Sequence, residues 1–510
     1  MVFQSEVSTT LTGGSYQPTF TRKLGRMGVG ISLALLIGGC SVKSDPITTD
    51  EVNARIAADK AALFEDQEPL SGSLGLGEAI IRSMRYNLDS RVKFMELAVA
   101  TKQLDFSNRE LLPDLVASAG YNRRSNDPGA RSINSETGEE SLPPSTSQER
   151  TRETQDLELL WNVLDFGLSY HSARQSSAEV EIAKERQRKT LQNITQDVVD
   201  AYWKAWIAQE LDDNMGNLIG SVESALNQSN ALAQSQSQSR QEALRYQASL
   251  LGIRNSLYEL QERMGLAKIR LAALINVHPK ADFTLSSPSE ELEPRDITRP
   301  YESLADNALL MRPELREEDY RLRISQLEVK KAMLRFLPTL QIGAGYHRDE
   351  NDFLINDDWE DVSFDLSWNI LGLFSVQAEK RFRQAQVDLA DARRLALSMA
   401  VMTQVRLSLK RYELSLQRYR ASQELSSVNQ EMAEILSASS KETDLDKIRA
   451  RTDALVSQLR TNYAYAETQS AFARILNSIG LDIIPEVDGD AATSGAAFES
   501  QWIALNNDYF

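Results

Sequence analysis

Leu111-Leu-Pro-Asp-Leu-Val-Ala-Ser-Ala-Gly-Tyr-Asn-Arg-Arg-Ser-Asn-Asp127 and Phe336-Leu-Pro-Thr-Leu-Gln-Ile-Gly-Ala-Gly-Tyr-His-Arg-Asp-Glu-Asn-Asp352 share nine of 17 residues at an offset of 225. Average composition would give about one match. A second echo, Leu159-Leu-Trp-Asn-Val-Leu164 and Leu366-Ser-Trp-Asn-Ile-Leu371, comes at an offset of 207. The chain therefore reads as two copies of one unit, with the change of offset absorbed in the loop between the paired segments.

Within both segments the hydrophobic period is 2. Leu115, Ala117, Ala119 and Tyr121 alternate with Val116, Ser118, Gly120 and Asn122, and Leu340, Ile342, Ala344 and Tyr346 with Gln341, Gly343, Gly345 and His347. The return segments alternate as well: Leu157, Leu159, Trp161 and Val163 in the first copy, Phe364, Leu366, Trp368 and Ile370 in the second. These are half-apolar strands, expected to be apolar outside and polar inside. A soluble sandwich shows the same alternation, so the aromatics decide. Tyr121 and Tyr346 each follow a proline, Pro113 and Pro338, by eight residues, about 26 Å of strand. That suits one aromatic girdle of a membrane barrel, with Trp161 and Trp368 in the other. Four strands cannot close a barrel, since the smallest need about eight. Several chains must share one.

The stretches joining the strand pairs, 124–150 and 349–360, are polar and are expected to be external loops. The second is acidic, with Asp349, Glu350, Asp352, Asp357, Asp358, Glu360 and Asp361 in or beside it. Its spacing matches no calcium loop, and a solvated acidic loop is the preferred reading.

The rest reads as helix. Ser169 to about Gln234 and Ser375 to about Leu436 lack proline and would reach about 90–100 Å. Each is matched by two shorter helices of about half its length, Leu76 to Glu110 with Glu242 to Ile275, and Glu302 to Arg335 with Asp444 to Ile479. The apolar spacing is Ala-rich and mixed with Ser, Gln and charged residues, as in coiled-coil walls with one wet face.

Arg22, Lys23 and Arg26 precede an apolar run from Met27 to Ile37, the length of an export signal and too short to span a bilayer. It ends Leu36-Ile37-Gly38-Gly39-Cys40, which resembles a bacterial lipobox with Cys40 as the acylated residue; it is the only Cys of the chain. Ser41 stands where an inner-membrane retention signal places Asp, so sorting to the outer membrane is expected. No later stretch is apolar enough for a membrane-spanning helix, and any crossing must use closed strands.

The 510 residues carry 56 Lys and Arg against 73 Asp and Glu, so bulk nucleic-acid binding is not expected. Three His (His171, His278, His347) and one Cys leave no zinc cage and no disulfide. Each His is unaccompanied and reads as a surface residue. No phosphate loop, nucleophile elbow or paired-His motif is present, so neither enzymatic activity nor a cofactor is expected. Asn193-Ile-Thr195 and Asn227-Gln-Ser229 match glycosylation acceptors by pattern only, on expected helices.

Taken together, the repeat, Leu112-Pro113 and Leu337-Pro338 at the helix-to-strand change, Trp161-Asn-Val-Leu-Asp-Phe-Gly167 at the return, and Arg312-Pro313-Glu314-Leu315 opening the second half resemble the TolC family of outer-membrane efflux proteins over essentially the whole mature chain. The resemblance implies a mainly α fold with a β-barrel. In a homotrimer, three chains of four strands close a 12-stranded barrel whose helices continue as a periplasmic tunnel. It also implies a periplasmic adaptor protein and an inner-membrane transporter of RND or ABC type as partners, besides outer-membrane lipids. The expected organisation is a signal peptide over 1–39, an N-terminal segment over 40–75, a first repeat over 76–300, a second over 301–484 and a tail over 485–510.

Two departures stand out. Asn369-Ile-Leu-Gly372-Leu-Phe374 replaces the Asp165-Phe166-Gly167 return, and serine-rich Ser235-Gln-Ser-Gln-Ser-Arg240 and Ser437-Ala-Ser-Ser-Lys441 stand where the family commonly places Gly at the periplasmic tips. Asp444 and Asp446, just past the second tip, are the candidate entrance carboxylates, since a trimer repeats any inward residue as a ring. Glu242, which aligns with Thr443 at an offset of 201, is the entrance candidate of the first copy. Helix capping is an equal reading for Asp444. The function this suggests is passive conduction powered by a pump. A helical spacer lipoprotein of the envelope is the alternative.

Overall fold

In the computed structural model the alternating segments form strands and the Ala-rich segments form helices. The structure describes residues 44–65, 67–70, 72–131, 133–140, 143–234, 240–286, 293–439, 444–482, 502–505 and 508–509. The expected export signal and Cys40 lie outside these residues. The chain divides into Met1–Glu65 and Asp66–Phe510. In the first unit α1 (Thr49–Ala62) starts on a capping box: the Glu51 N–H donates to Thr48 Oγ1 at 3.3 Å and the Thr48 N–H to the Glu51 carboxylate at 2.7 Å.

The second unit begins with a short strand β1 (Ser73–Leu74), then α2 (Leu76–Tyr86), α3 (Leu88–Arg109), β2 (Asp114–Arg123), β3 (Thr151–Asn162), α4 (Val163–Gln234) and α5 (Arg240–Leu274). It continues with β4 (Thr284–Leu285), α6 (Tyr301–Met311), α7 (Pro313–Leu334), β5 (Thr339–Asp349), β6 (Asp358–Ser367), a 3-10 helix (Ile370–Ser375), α8 (Val376–Ala438) and α9 (Asp444–Ser478). At 72 and 63 residues, α4 and α8 run about 108 and 95 Å. In the half nearer the four-stranded sheet the helices neighbour one another in the order α3, α4, α7, α8. In the far half the order is α5, α4, α9, α8. Each short pair therefore lies along one long helix, as expected.

Four strands form one antiparallel sheet, ordered β2-β3-β5-β6. Both hairpins have the same register relative to their prolines: Pro113 and Trp161 stand one step beyond the Asp114–Leu160 pair, Pro338 and Trp368 one step beyond Thr339–Ser367. Directly opposed residues share a face. One face carries Leu115, Ala117, Leu157, Leu159, Ala344 and Phe364, the other Ser118, Asp156, Glu158, His347, Asp361 and Asp365. The alternation is therefore preserved across all four strands.

Three expected boundaries move, each for a local reason. The helix expected from Leu76 to Glu110 breaks at Asn87, whose Oδ1 accepts the N–H groups of Asp89 and Ser90 at 2.9 and 3.3 Å and starts α3 afresh. The helix expected from Glu302 to Arg335 breaks at Arg312, held extended by the following Pro313. The last strand ends at Ser367, short of the expected Trp368 and Ile370. In the first copy Asn162 Oδ1 accepts from Leu164 and Asp165 and α4 starts at once. In the second, Asn369 Oδ1 accepts from Gly372 and a 3-10 turn intervenes before α8.

Where α5 and α9 end, both chains turn through left-handed residues, Asn276 (φ 53°) and Gly480 (φ 73°), closed by Val277 N–H to Ala272 O at 2.8 Å and Leu481 N–H to Leu476 O at 3.1 Å. These are Schellman ends. A side chain at Gly480 would overlap the Met311–Arg312 backbone. The principal core lies at this level. Trp203, Tyr202, Ile207, Phe472 and Ile475 are almost fully buried, and β1 pairs with β4 beside them. The C-terminal segment, read only as a tail, contributes Trp502 and Tyr509 to this core against Phe472.

Candidate functional site

The polar face of the sheet carries a side-chain cluster at its loop end. His347 Nδ1 lies 2.8 Å from Asp156 Oδ1, its Nε2 lies 3.2 Å from Asp361 Oδ1, and Trp359 stacks on the ring at 5.3 Å. Asp156 also accepts from Ser118 Oγ at 3.1 Å. Three strands are thus tied by one imidazole. The ring needs the gap left by Gly345, where a Cβ would overlap both His347 and Asp361. The sequence reading of His347 as unaccompanied is therefore corrected: on a partly exposed face of the sheet it lies between two carboxylates. The signal lay in the glycine two positions earlier on the same face.

The first two carboxylates of the acidic loop, and Asp127 of the other loop, are paired within the chain. Asp349 is buried against the Arg152 guanidinium, with Nε at 2.8 Å; Glu350 meets Arg348 at 3.3 Å, and Arg150 pairs with Asp127. Among the described residues no group of three His, Cys, Asp or Glu is arranged to hold a metal ion. His278 is a turn residue whose Nδ1 accepts from Lys280 at 3.2 Å. His171 is half-buried on α4 and Nδ1 lacks a hydrogen-bond partner; burial lowers its pKa first, then the charges of Lys330, Arg174 and Lys331.

At the level of the Schellman ends, Arg312 is buried and donates to Gln404 Oε1 at 2.9 Å, to Ser478 O at 3.1 Å and to the Glu314 carboxylate at 2.6 and 3.1 Å. Lys189 reaches Glu314 and Asn477 Oδ1, both at 2.9 Å. Burial alone would raise the Glu314 pKa, but the hydrogen bonds from Arg312 and the charge of Lys189 bring it down to about 2. This hub fixes α7 and α9 end to end between α4 and α8. In the first copy the corresponding tie is Asn87 Nδ2 to Leu274 O at 3.0 Å.

The expected site residues lie at three heights. Trp161 and Trp368 sit beside Pro113 and Pro338 at the strand ends nearest the helices, and Trp368 Nε1 donates to Phe336 O at 3.0 Å. Tyr121 faces Glu153, and Tyr346 faces Leu157 four positions further along β3, about 13 Å apart along that strand. At the far end Asp446 is exposed on the first turn of α9, and its charge, with that of Arg449, acts on the Tyr246 hydroxyl of α5. The turns at 235–239 and 440–443 and the side chains of Glu242 and Asp444 lie outside the described residues. Polar contacts tie both long hairpins, Gln247 to Asn230 at 2.7 Å and Arg451 to Ser437 at 3.2 Å, as expected of a wet helical wall.

No protein-family model matches the chain, and no curated protein sequence does. Solved structures do. The Neisseria gonorrhoeae MtrE outer membrane channel, in its open state, is similar with a TM-score of 0.62 and 15% identity, over 82% of this chain and 94% of that one. The Campylobacter jejuni CmeC outer membrane channel matches with a TM-score of 0.61 and 15% identity, over 87% and 94%. The outer-membrane channel OprN gives 0.61 and 19% identity over 79% and 89%. The chain has the fold of these outer-membrane channels.

Proposed function

We propose that this chain is the outer-membrane duct of an export system, a homotrimer whose three four-stranded sheets close one barrel and whose helices form a passage through the periplasm. One observation carries the reading: a four-stranded sheet with one mainly apolar and one mainly polar face, ending at both sides in ten-residue strands, β2 and β6, with no further strand beside them among the described residues. Such edges in one chain call for β6 of one copy to pair with β2 of the next. The flanking helices support the same symmetry. Val92, Met95, Val99 and Phe106 form an exposed stripe on α3, and Leu425, Val428, Met432 and Ile435 one on α8, each at helical spacing and each on an outermost helix.

The likeness to outer-membrane channels supports passive conduction and location in the outer membrane. Among the described residues no helix is long and apolar enough to cross a membrane, so the crossing falls to the strands. On this reading the Ser118–His347–Asp361 face lines the barrel. Cys40 carries the lipid anchor, Asp444 and Asp446 ring the entrance, and an adaptor and an inner-membrane pump feed it. Catalysis has no part in it. Purified protein should have the mass of a trimer in mild detergent and open discrete conductances in a planar bilayer. A monomer without conductance would favour the helical spacer instead.

A further inference from the structure

Just below the sheet, the helices carry a band of cations on a chain of net charge −17. Arg109 ends α3, Arg174 follows the start of α4, Lys330 and Arg335 close α7, and Lys380 and Arg381 open α8. All six are exposed, and among the described residues none has a carboxylate partner. Of the carboxylates at this level, Glu328 is taken by Lys331 at 3.3 Å and Arg383 at 4.0 Å and Glu379 by Arg383 at 2.8 Å, whereas Glu110 and Asp165 are exposed and have no ion pair among the described residues, so the band's positive excess lies on α7 and α8. Those contacts put α7 and α8 at one height, and the Ser107–Ser176 contact at 2.9 Å brings α3 and α4 together beside them. The His171 ring feels Lys330, Arg174 and Lys331 together.

Above the cations sits an apolar shelf. The 3-10 helix Ile370–Ser375 leaves Ile370, Leu371 and Phe374 exposed, Phe374 by 86%, and Leu337 stands exposed just before Pro338. Arg335 is three residues from Pro338, about 5 Å of helix, and Lys380 and Arg381 lie three and two residues nearer the sheet than Arg383, which the Glu328 contact places ten residues below Pro338, so they stand about 10–12 Å below the strand level. The headgroup layer of a bilayer is about 5–8 Å deep on each side, and the Debye length at physiological salt is about 8 Å. Apolar side chains followed at once by unpaired Lys and Arg form an interfacial anchor with a preference for anionic headgroups.

We infer that this collar binds anionic phospholipids of the periplasmic leaflet, with the 370–374 turn seated among acyl chains and Arg335, Lys380 and Arg381, backed by Lys330, on the phosphates. The inference rests on the sheet being a barrel segment, so the experiment reports on both. Full-length wild type and a Lys330→Gln, Arg335→Gln, Lys380→Gln, Arg381→Gln variant are reconstituted. Conductance is recorded, and lipid retained by the trimer is measured by native mass spectrometry after exposure to equal phosphatidylglycerol and phosphatidylcholine. Wild type should prefer phosphatidylglycerol, less so as salt rises, and the preference should fall by up to about fivefold per neutralised cation while conductance persists.

Phe374→Ser should lower retention of both lipids alike. Equal retention of the two lipids by wild type, or an unchanged preference in the fourfold variant, overturns the collar and leaves the channel reading standing where conductance is normal. Should the fourfold variant dissociate into monomers, the double variant Lys380→Gln, Arg381→Gln decides. A trimer of that double variant with wild-type preference shows that these cations join protomers and overturns the lipid site.

Discussion

Glu314→Gln tests the hub that joins the start of α7 to the end of α9. In the folded chain the carboxylate holds buried Arg312 and half-buried Lys189, and its pKa is brought from 4.5 to about 2. A shift of that size corresponds to about 3 kcal/mol, and its partial exposure brings the figure to about 2–3 kcal/mol. The amide keeps the shape and one acceptor but leaves the cations uncompensated, a loss on the scale of a broken buried pair. The pair sits where the α9 end packs against Arg312, so the loss should appear as local opening rather than global unfolding. Amide exchange at Ile479, Gly480 and Leu481, whose N–H groups close the Schellman end, should accelerate by roughly 30- to 150-fold at neutral pH. The sign follows from the depressed pKa: the contribution is whole above 4.5 and is lost as pH falls through about 2, so wild type and variant should converge over that window. Unchanged exchange at these amides, or a difference that persists at pH 2, would refute the role given to Glu314.

The remaining predictions concern the sheet, the anchor and the entrance. Ala117→Arg, opposite Leu157 on the apolar face, should cost about 2–4 kcal/mol at mid-bilayer in barrel unfolding, whereas Ser118→Arg, opposite Asp156, should be tolerated; equal costs would reverse the assigned faces. Gly345→Ala should push the imidazole off Asp361 and change single-channel conductance, and an unaltered current trace would show that the His347 cluster does not border the pore. Cys40→Ser should abolish acylation and signal cleavage, read by mass spectrometry of the intact protein. Asp444→Ala with Asp446→Ala should weaken cation selectivity and block by multivalent cations, at a possible loss of a helix cap worth about 1 kcal/mol; a double variant that selects as wild type does would reduce the two to capping residues.

The sheet was legible because its signals are periodic and repeated. Leu115, Ala117 and Leu157 share a face for the same reason that they alternate in sequence, and the two prolines mark equivalent points of both hairpins. The helix breaks at Asn87 and Arg312 were written in the sequence too, as a capping Asn and a residue before Pro, but each lay within a continuous helical pattern that masks a single residue. What could not be read was long-range. Trp502 and Tyr509 reach Phe472 through a tail whose composition suggests no element, and the Arg312–Glu314–Lys189 hub joins residues more than a hundred positions apart. His347 looked isolated because Asp156 becomes its neighbour only through the β3–β5 register.

The same distinction bears on how the two ends of the molecule are built. In the sheet, polar groups are satisfied between the two β-hairpins, Asp156 with His347 and Arg152 with Asp349, so the hairpins cannot separate without leaving charges unpaired. Beyond the hub, the hydrogen bonds and ion pairs noted between long helices stay within a hairpin, Gln247 with Asn230, Arg451 with Ser437 and Arg418 with Glu467, and the hairpins meet through rings, Trp203 against Tyr465, and through the charges of Asp446 and Arg449 on Tyr246. Exposed pairs of that kind contribute little, about 0–1 kcal/mol each. Movement of one hairpin against its neighbour would therefore cost least in the far half, where Asp446 stands, and most at the hub and above it. On the proposed duct reading, opening at the far end while the sheet end keeps its arrangement calls for such a gradient.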